Sequence, residues 1–487
     1  MRLRGVLSAA AAVIVAVTSG VIVSASASAS SVGCGSVITT STTLTADVGP
    51  CPNYGLIIGA NNITLNLGGH AVIGTFTQEF TRPPTNNVDA EGIHFRNVSG
   101  SVVTNGSVTH FAVGVRLDGG GGNTVEHLDV HDNIGKLGVD KANNGDGIAM
   151  RASDHNLITD NVVRHNGPWD NIATLSPDGS TGTAGSSYNT ISHNVVDDSN
   201  IPMLNGAGNP SWKQGNGINI TGPGSTHNVV DHNVVNGNGV DGIQVFPACI
   251  NSYNGAIMNL GCAGTVPNDF NIITNNIVRN NGFGAPVAIA PIGDGILILA
   301  MGPRGIFMPE HNTVSGNVTT GNQRNGIAIG GGNGEDLFNA PGTTGGGNYG
   351  CSNVNSGGGN TGVPTADLCG TNDNTVTNNT SSGNGDDGIE LGPKSTGNTV
   401  TGNHVSDNKL NGIAAPLAVL FNGNDQGVTS PSGGFQTIPT TAAFGNTFSG
   451  NTASGDGQSD GLDGTPGCNN TWEDNTFGTV NQSCVSS

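Results

Sequence analysis

Charge is scarce in this chain of 487 residues: Asp, Glu, Lys and Arg together make up 10% of it, and aromatics 4%. Both figures are low for a globular protein. Cations are scarcest, 15 Lys and Arg against 35 Asp and Glu, a formal net charge of −20. Such a balance disfavours nucleic acid or an anionic membrane as partner. The eight cysteines contain no Cys-x-x-Cys spacing, which argues against zinc. Six scattered Met give copper handling little sulfur to work with. Beyond the first 29 residues no apolar run is long enough to span a bilayer.

Two other features are plentiful. Gly accounts for 80 residues, and Asn recurs throughout. The amino end carries Arg2 and Arg4, an apolar run from Val6 to Val23, and Ala27-Ser28-Ala29. That order reads as a secretory signal over residues 1–29 and predicts a secreted, extracellular protein. Without the leader, 13 cationic side chains face 35 acidic ones, a formal −22. An even number of cysteines in an exported chain predicts disulfides. They fall into neighbouring couples: Cys34 and Cys51, Cys249 and Cys262, Cys351 and Cys369, Cys468 and Cys484. Sequence alone leaves the pairing open, but bridging of neighbours would staple both ends and two inserted loops.

The Asn residues keep a fixed phase. Asn156–Asn161, Asn189–Asn194 and Asn228–Asn233 share the template Asn-x-β-branched-x-x-Asn, which returns five more times up to Asn446–Asn451. A third Asn often follows five residues on, as at Asn166, Asn238 and Asn281, and a Gly-Ile pair comes next. Gly217 and Gly242 are 25 residues apart, and Gly388 and Gly412 are 24. A period in the twenties marks a solenoid. Periodic Val and Ile supply an inward face, which a disordered chain has no reason to maintain. Three short strands and three bends make one coil, and equivalent strands of successive coils pair in parallel about 4.8 Å apart. At the bends, stacked Asn side chains satisfy backbone groups that the strand ladder cannot reach.

These motifs, together with Asn62–Gly74, resemble the right-handed parallel β-helix repeat family of the pectin-lyase-like superfamily. The resemblance covers roughly residues 56–480 and implies an all-β, single-domain solenoid of roughly 10–13 coils with inserted loops. The expected layout is a signal peptide at 1–29, a cap at 30–55, the helix at 56–460 and a second cap at 461–487. Insertions fall at 75–90, 134–145, 175–187, 199–215, 247–268, 331–372 and 422–443. The family spans lyases, epimerases, hydrolases, adhesins and copper-insertion proteins, so the fold does not fix the activity.

Comparing coils within the chain isolates the unusual positions. Before the second Asn stand His127, Asp160, His193 and His232, where later coils carry Asn or Gly. Three residues past that Asn come His131, Arg164 and Asp197, and beside them Asp132, His165 and Asp198. Late coils have Gly, Ser, Thr and Asn there, so the fold does not require charge. His131, Asp160, Arg164, His165, His193 and Asp197 are therefore the candidate catalytic residues. Imidazoles and carboxylates suit proton transfer, and Arg164 suits a substrate carboxylate or developing oxyanion. A second column precedes the Gly-Ile turns and places Asp146 beside Asp170, and Asp241 beside Asp294. Stacked acids suit a retaining hydrolase pair or Ca²⁺, although Asp and Asn also interchange there as turn residues. Asp146, Arg151, Trp169, Asp170 and Trp212 are the candidate substrate-binding residues, with Lys136 and Lys141 in the loop ahead of them.

The expected function is action on a polysaccharide or cell-surface glycan by a secreted monomer, as a lyase or epimerase before a hydrolase. Ca²⁺ is the one candidate cofactor. The alternative is a non-catalytic surface or carbohydrate-binding protein. The acidic chain weighs against a strongly anionic substrate unless Arg164, the loop lysines or Ca²⁺ offset it.

Overall fold

The computed structural model describes residues 32–75, 90–135, 145–167, 169–175, 185–199, 202–204, 210–213, 215–222, 224–246, 267–283, 293–299, 309–330, 371–392, 395–416, 443–465 and 467–485. Residues 1–29, read from sequence as a secretory signal, lie outside them, as do Lys136, Lys141 and the couples Cys249/Cys262 and Cys351/Cys369.

Short Val/Ile-rich segments separated by Asn and Gly form strands of two to eight residues, and all but two of these strands pair in parallel with the next coil. Among the described residues thirteen coils follow in chain order on the first face, from Ser36–Ile38 to Ser459–Asp463. The second and third faces are built mostly from paired three-residue strands such as Leu157–Thr159 and Val162–Arg164, with eight-residue strands at Val102–Thr109 and Thr124–His131. This is the parallel β-helix expected from the repeat. Pairing begins at Ser36 and reaches Phe477, so the ladder runs through both segments read from sequence as caps. The disulfides Cys34–Cys51 and Cys468–Cys484 close its two ends. The exception to parallel pairing is Pro202–Leu204 against Pro210–Lys213, an antiparallel pair that carries Trp212.

Most strands bury an Ile or Val completely: Ile148, Ile158 and Val163 in one coil, Ile218, Val230 and Val235 further along. Between strands the Asn columns do the work predicted for them. Asn233 donates its backbone N–H to Asn276 Oδ1 at 2.9 Å, and its Nδ2 donates to the same oxygen at 3.0 Å. Asn276 in turn donates from Nδ2 to Val230 O at 2.9 Å and to Asn317 Oδ1 at 3.0 Å. The residue before the second Asn of the template has positive φ, between 53° and 56° at Asp160, His193, His232, Asn275 and Asn378. Asn, Asp, His and Gly tolerate that left-handed conformation best and fill this column, although Tyr188 and Phe270 adopt it before the first Asn of their templates.

Removing one ladder amide orphans several buried groups at once. Asn276→Ala is expected to cost about 2–4 kcal/mol, read as a shift of the urea unfolding midpoint. A change no larger than that of an exposed Thr→Ala on the same strand would show that the ladder is not what holds the bends.

Candidate active site

The middle residue of each first-face strand points away from the core. Register aligns Ile57, His94, Arg116, Ala149, Ala173 and Asn219 across six successive coils. Gln244, Leu297, Ala328, Glu390 and Ala414 continue the row. Ala, Leu or Ile suffices at six of these eleven positions, so His94, Arg116 and Glu390 are not there to make the coil. Each is nevertheless buried, at 6%, 4% and 4% exposed.

His94 lies between two carboxylates. Its Nδ1 is 2.6 Å from Glu91 Oε2 and its Nε2 3.0 Å from Asp118 Oδ2, both at ion-pair distance but outside hydrogen-bonding direction. Arg116 contacts Glu91 at 3.2 Å and Asp118 at 3.1 Å. Arg151 closes a fork on Asp118 at 2.7 and 2.9 Å. The Tyr54 ring stacks on His94 at 6.3 Å between centroids. Burial opposes protonation of His94, but contact with Asp118 and Glu91 outweighs it and raises the imidazole pKa. Burial alone would raise Asp118; His94, Arg116 and Arg151 overcome it and hold the carboxyl well below the usual range.

Among the described residues, Glu91, His94 and Asp118 are the only group bringing three potential ligand atoms within 4.8 Å of one another. The set does not fit Ca²⁺, which takes six to eight oxygens. Two guanidiniums already in contact with the same carboxylates would also repel a divalent ion.

Beside this network runs the acid column. Asp170 donates its backbone N–H to Asp146 Oδ1 at 3.1 Å, so the two acids stand on adjacent coils as predicted. Asp241 and Asp294 do the same at 2.8 Å. The environments of Asp146 and Asp170 differ. Asp170 Oδ1 accepts from the N–H and Nδ2 of Asn216, both at 3.0 Å, and its Oδ2 accepts from Asn219 at 3.0 Å. Asp146 Oδ2 is buried with no hydrogen-bond partner. Burial and the neighbouring Asp170 charge push Asp146 well above the ordinary carboxyl range. Burial also raises Asp170, but its amide donors limit the rise to about 6.

The columns read from sequence as catalytic are also stacked. The His193 and His232 rings lie parallel, 5.2 Å between centroids. The six candidates do not converge on one point. His131 and His165 meet at Asp132, at 2.7 and 2.5 Å. Burial would raise the Asp132 carboxyl, but its two imidazole partners lower it. Arg164 pairs with Asp129 at 3.0 Å, Asp197 accepts from Asn236, and Asp160 accepts from Thr159. His127, Asp160 and His193 are exposed on the bend. Of the substrate-binding candidates, Asp146, Arg151 and Asp170 belong to the first face, and Trp169 is half-buried next to Asp170. Sequence reading missed His94, Arg116 and Asp118. The visible signal is charge at strand positions where later coils hold Ala or Leu.

No protein-family model and no curated protein matches this sequence. Solved structures similar to it include the Dettilon tailspike protein, at 16% identity and TM-score 0.42 over 86% of this chain and 60% of the tailspike. The A-module of the Azotobacter vinelandii mannuronan C-5 epimerase AlgE4 is similar over 92% of this chain and 85% of its own, at 12% identity and TM-score 0.39. The catalytic domain of a GH87 α-1,3-glucanase in complex with nigerose is similar at 14% identity and TM-score 0.40, over 92% of this chain. The chain spans under two thirds of the tailspike and glucanase, 60% and 64%.

Proposed function

We propose that the protein is an exported enzyme that hydrolyses a polysaccharide lying along the first face, with Asp146 as proton donor and Asp170 as nucleophile. One observation carries this reading: adjacent coils place two buried carboxyls in unlike surroundings. Strand spacing of about 4.8 Å suits the short separation of a retaining pair. Asp146 gives its Oδ2 proton to the glycosidic oxygen as that C–O bond breaks, while Asp170 bonds the anomeric carbon. Asp146, now a carboxylate, takes a proton from water, and the water oxygen displaces Asp170. One water is consumed and both acids return to their starting states. Protonation states set apart by environment are what this division of labour requires.

A lyase or epimerase takes second place for a physical reason. Both reactions need a cation or metal on the substrate carboxylate, and Arg116, Arg151 and Arg164 are each engaged with a protein carboxylate. Export is supported by the leader and by the two end disulfides. No helix among the described residues is long and apolar enough to cross a membrane.

Digestion of a panel of neutral, amine-bearing and uronic glycans, followed by mass spectrometry, tests the assignment. The expected products are water adducts with new reducing ends. Products lighter by one water, carrying a conjugated double bond, would replace hydrolysis with elimination. Binding without any product would return the protein to the non-catalytic reading.

A further inference from the structure

Two amides stand on successive coils in the outward row of the first face, and only one of them is fully bonded. Gln244 Nε2 donates to Asp241 Oδ2 at 2.9 Å, and its Oε1 accepts from Asn216 Nδ2 at 3.3 Å. Asn219, aligned with Gln244 in register, donates from Nδ2 to Asp170 Oδ2 at 3.0 Å. Its Oδ1 is buried and accepts nothing. The residue is 6% exposed, which closes that oxygen off from bulk solvent.

The repeat supplies its own control. Ala149 and Ala173 fill the same row on the two preceding coils, so the fold does not need an amide there. A buried carbonyl oxygen without a donor carries a desolvation cost that Ala would avoid. The orientation of the amide is fixed as well. Nδ2 has to face the Asp170 carboxylate, which leaves Oδ1 as the free end. Asp146, on the coil before Asp170, holds a second buried oxygen without a partner, its Oδ2. The coils before and after Asp170 thus each leave one polar atom beside it unbonded.

We infer that Asn219 is a specificity-determining residue, its Oδ1 accepting the hydroxyl on C2 of the sugar whose anomeric carbon Asp170 attacks. The inference rests on the hydrolytic reading of Asp170 given above. Within the sugar ring the anomeric carbon has two neighbours. The ring oxygen carries no hydrogen and cannot satisfy an acceptor, whereas a hydroxyl on C2 donates one. Nδ2 and Oδ1 belong to one planar amide, so an amide bonded to the attacking carboxylate brings its oxygen toward the substituents next to the anomeric carbon. A hydrogen bond to that hydroxyl strengthens as positive charge builds on the sugar. The substrate class is therefore a polysaccharide of hexose units with a free hydroxyl on C2. A 2-deoxy sugar would leave the buried oxygen unbonded.

The test is calorimetric titration of the full chain with glucose, galactose, 2-deoxyglucose and 2-deoxygalactose at pH 7. Asp170, raised to about 6, is ionised there and holds the amide in place. Each hexose is expected to bind at least about tenfold tighter than its 2-deoxy form. In Asn219→Ala, a residue the row already accepts at Ala149 and Ala173, the two forms should bind within about twofold of each other. Equal affinity of a hexose and its 2-deoxy form for wild type overturns the proposal without any variant. Failure of both hexoses to bind does the same. A preference that persists in Asn219→Ala also overturns it, because the amide then serves Asp170 alone. The digestion panel keeps the two claims apart. Hexose preference without hydrolysis of any glycan removes the reaction alone; hydrolysis without the preference removes this inference alone.

Discussion

Asp170→Asn is expected to lower kcat on the hydrolysed glycan by about 10³-fold or more while moving Tm by no more than about 2 °C. The two halves follow from separate features of one position. Asn occupies the equivalent site at Asn216, Asn325 and Asn411, where its Oδ1 or Nδ2 joins the same coil-to-coil ladder. The amide therefore preserves the structural bond, but it cannot bond the anomeric carbon as a leaving carboxylate does. Asp146→Asn should be as severe with natural substrates, because no proton reaches the departing oxygen. Activated glycosides with an acidic phenol leaving group should partly escape that loss. His193→Asn and Asp160→Asn provide the contrast. Both stand at bends with φ of 56°, where other coils carry Asn, and both should retain activity within about twofold. If the bend variants lose turnover and the first-face variants do not, the chemistry belongs on the bends.

That contrast explains how far the sequence could be read. The Asn phase was legible because each ladder amide must stack on its neighbour whatever lies between them. Ladder partners are 24 residues apart at Asn374 and Asn398 but 62 apart at Asn312 and Asn374. A fixed period is thus hidden by insertions, while the local template survives them. The stacking of Asp160, His193 and His232 was legible for the same reason. Their meaning was not, because residue type at a left-handed bend reports conformational tolerance as strongly as chemistry. The His94 network escaped because its strands, Glu91–Arg96 and Val113–Asp118, precede the first complete Asn template. A column comparison that starts at His127 never reaches them. Asp146 and Asp170 could be placed side by side from sequence, but not told apart. Their difference lies in Asn216 and Asn219, which arrive from the following coil across an insertion.

Asp118→Ala is the substitution expected to damage stability most, by about 3–5 kcal/mol in urea unfolding. It removes the carboxylate that holds Arg151 by a fork, Arg116 at 3.1 Å and His94 at 3.0 Å, and leaves those cations buried without it. The dependence on pH gives the assignment a second check. The Asp118 pKa is depressed by folding, so its contribution is complete above the unfolded value near 3.8 and fades as pH falls through the lower folded value. His94 is raised by folding, so its contribution is complete below the unfolded value near 6.5 and is lost as pH climbs through the higher folded one. The network is therefore strongest between those two limits, and wild type should exceed Asp118→Ala by the widest margin near pH 5. Asp170 acts in the opposite direction to Asp118. Its proton is held more tightly folded than unfolded, so stability falls as pH rises from about 4 to about 6, and Asp170→Asn should flatten that slope. A margin that stays constant from pH 4 to pH 8 would mean that His94 does not take its charge from Asp118. The imidazole would then act as a packed neutral ring against Tyr54, and the first face would lose its early cationic centre.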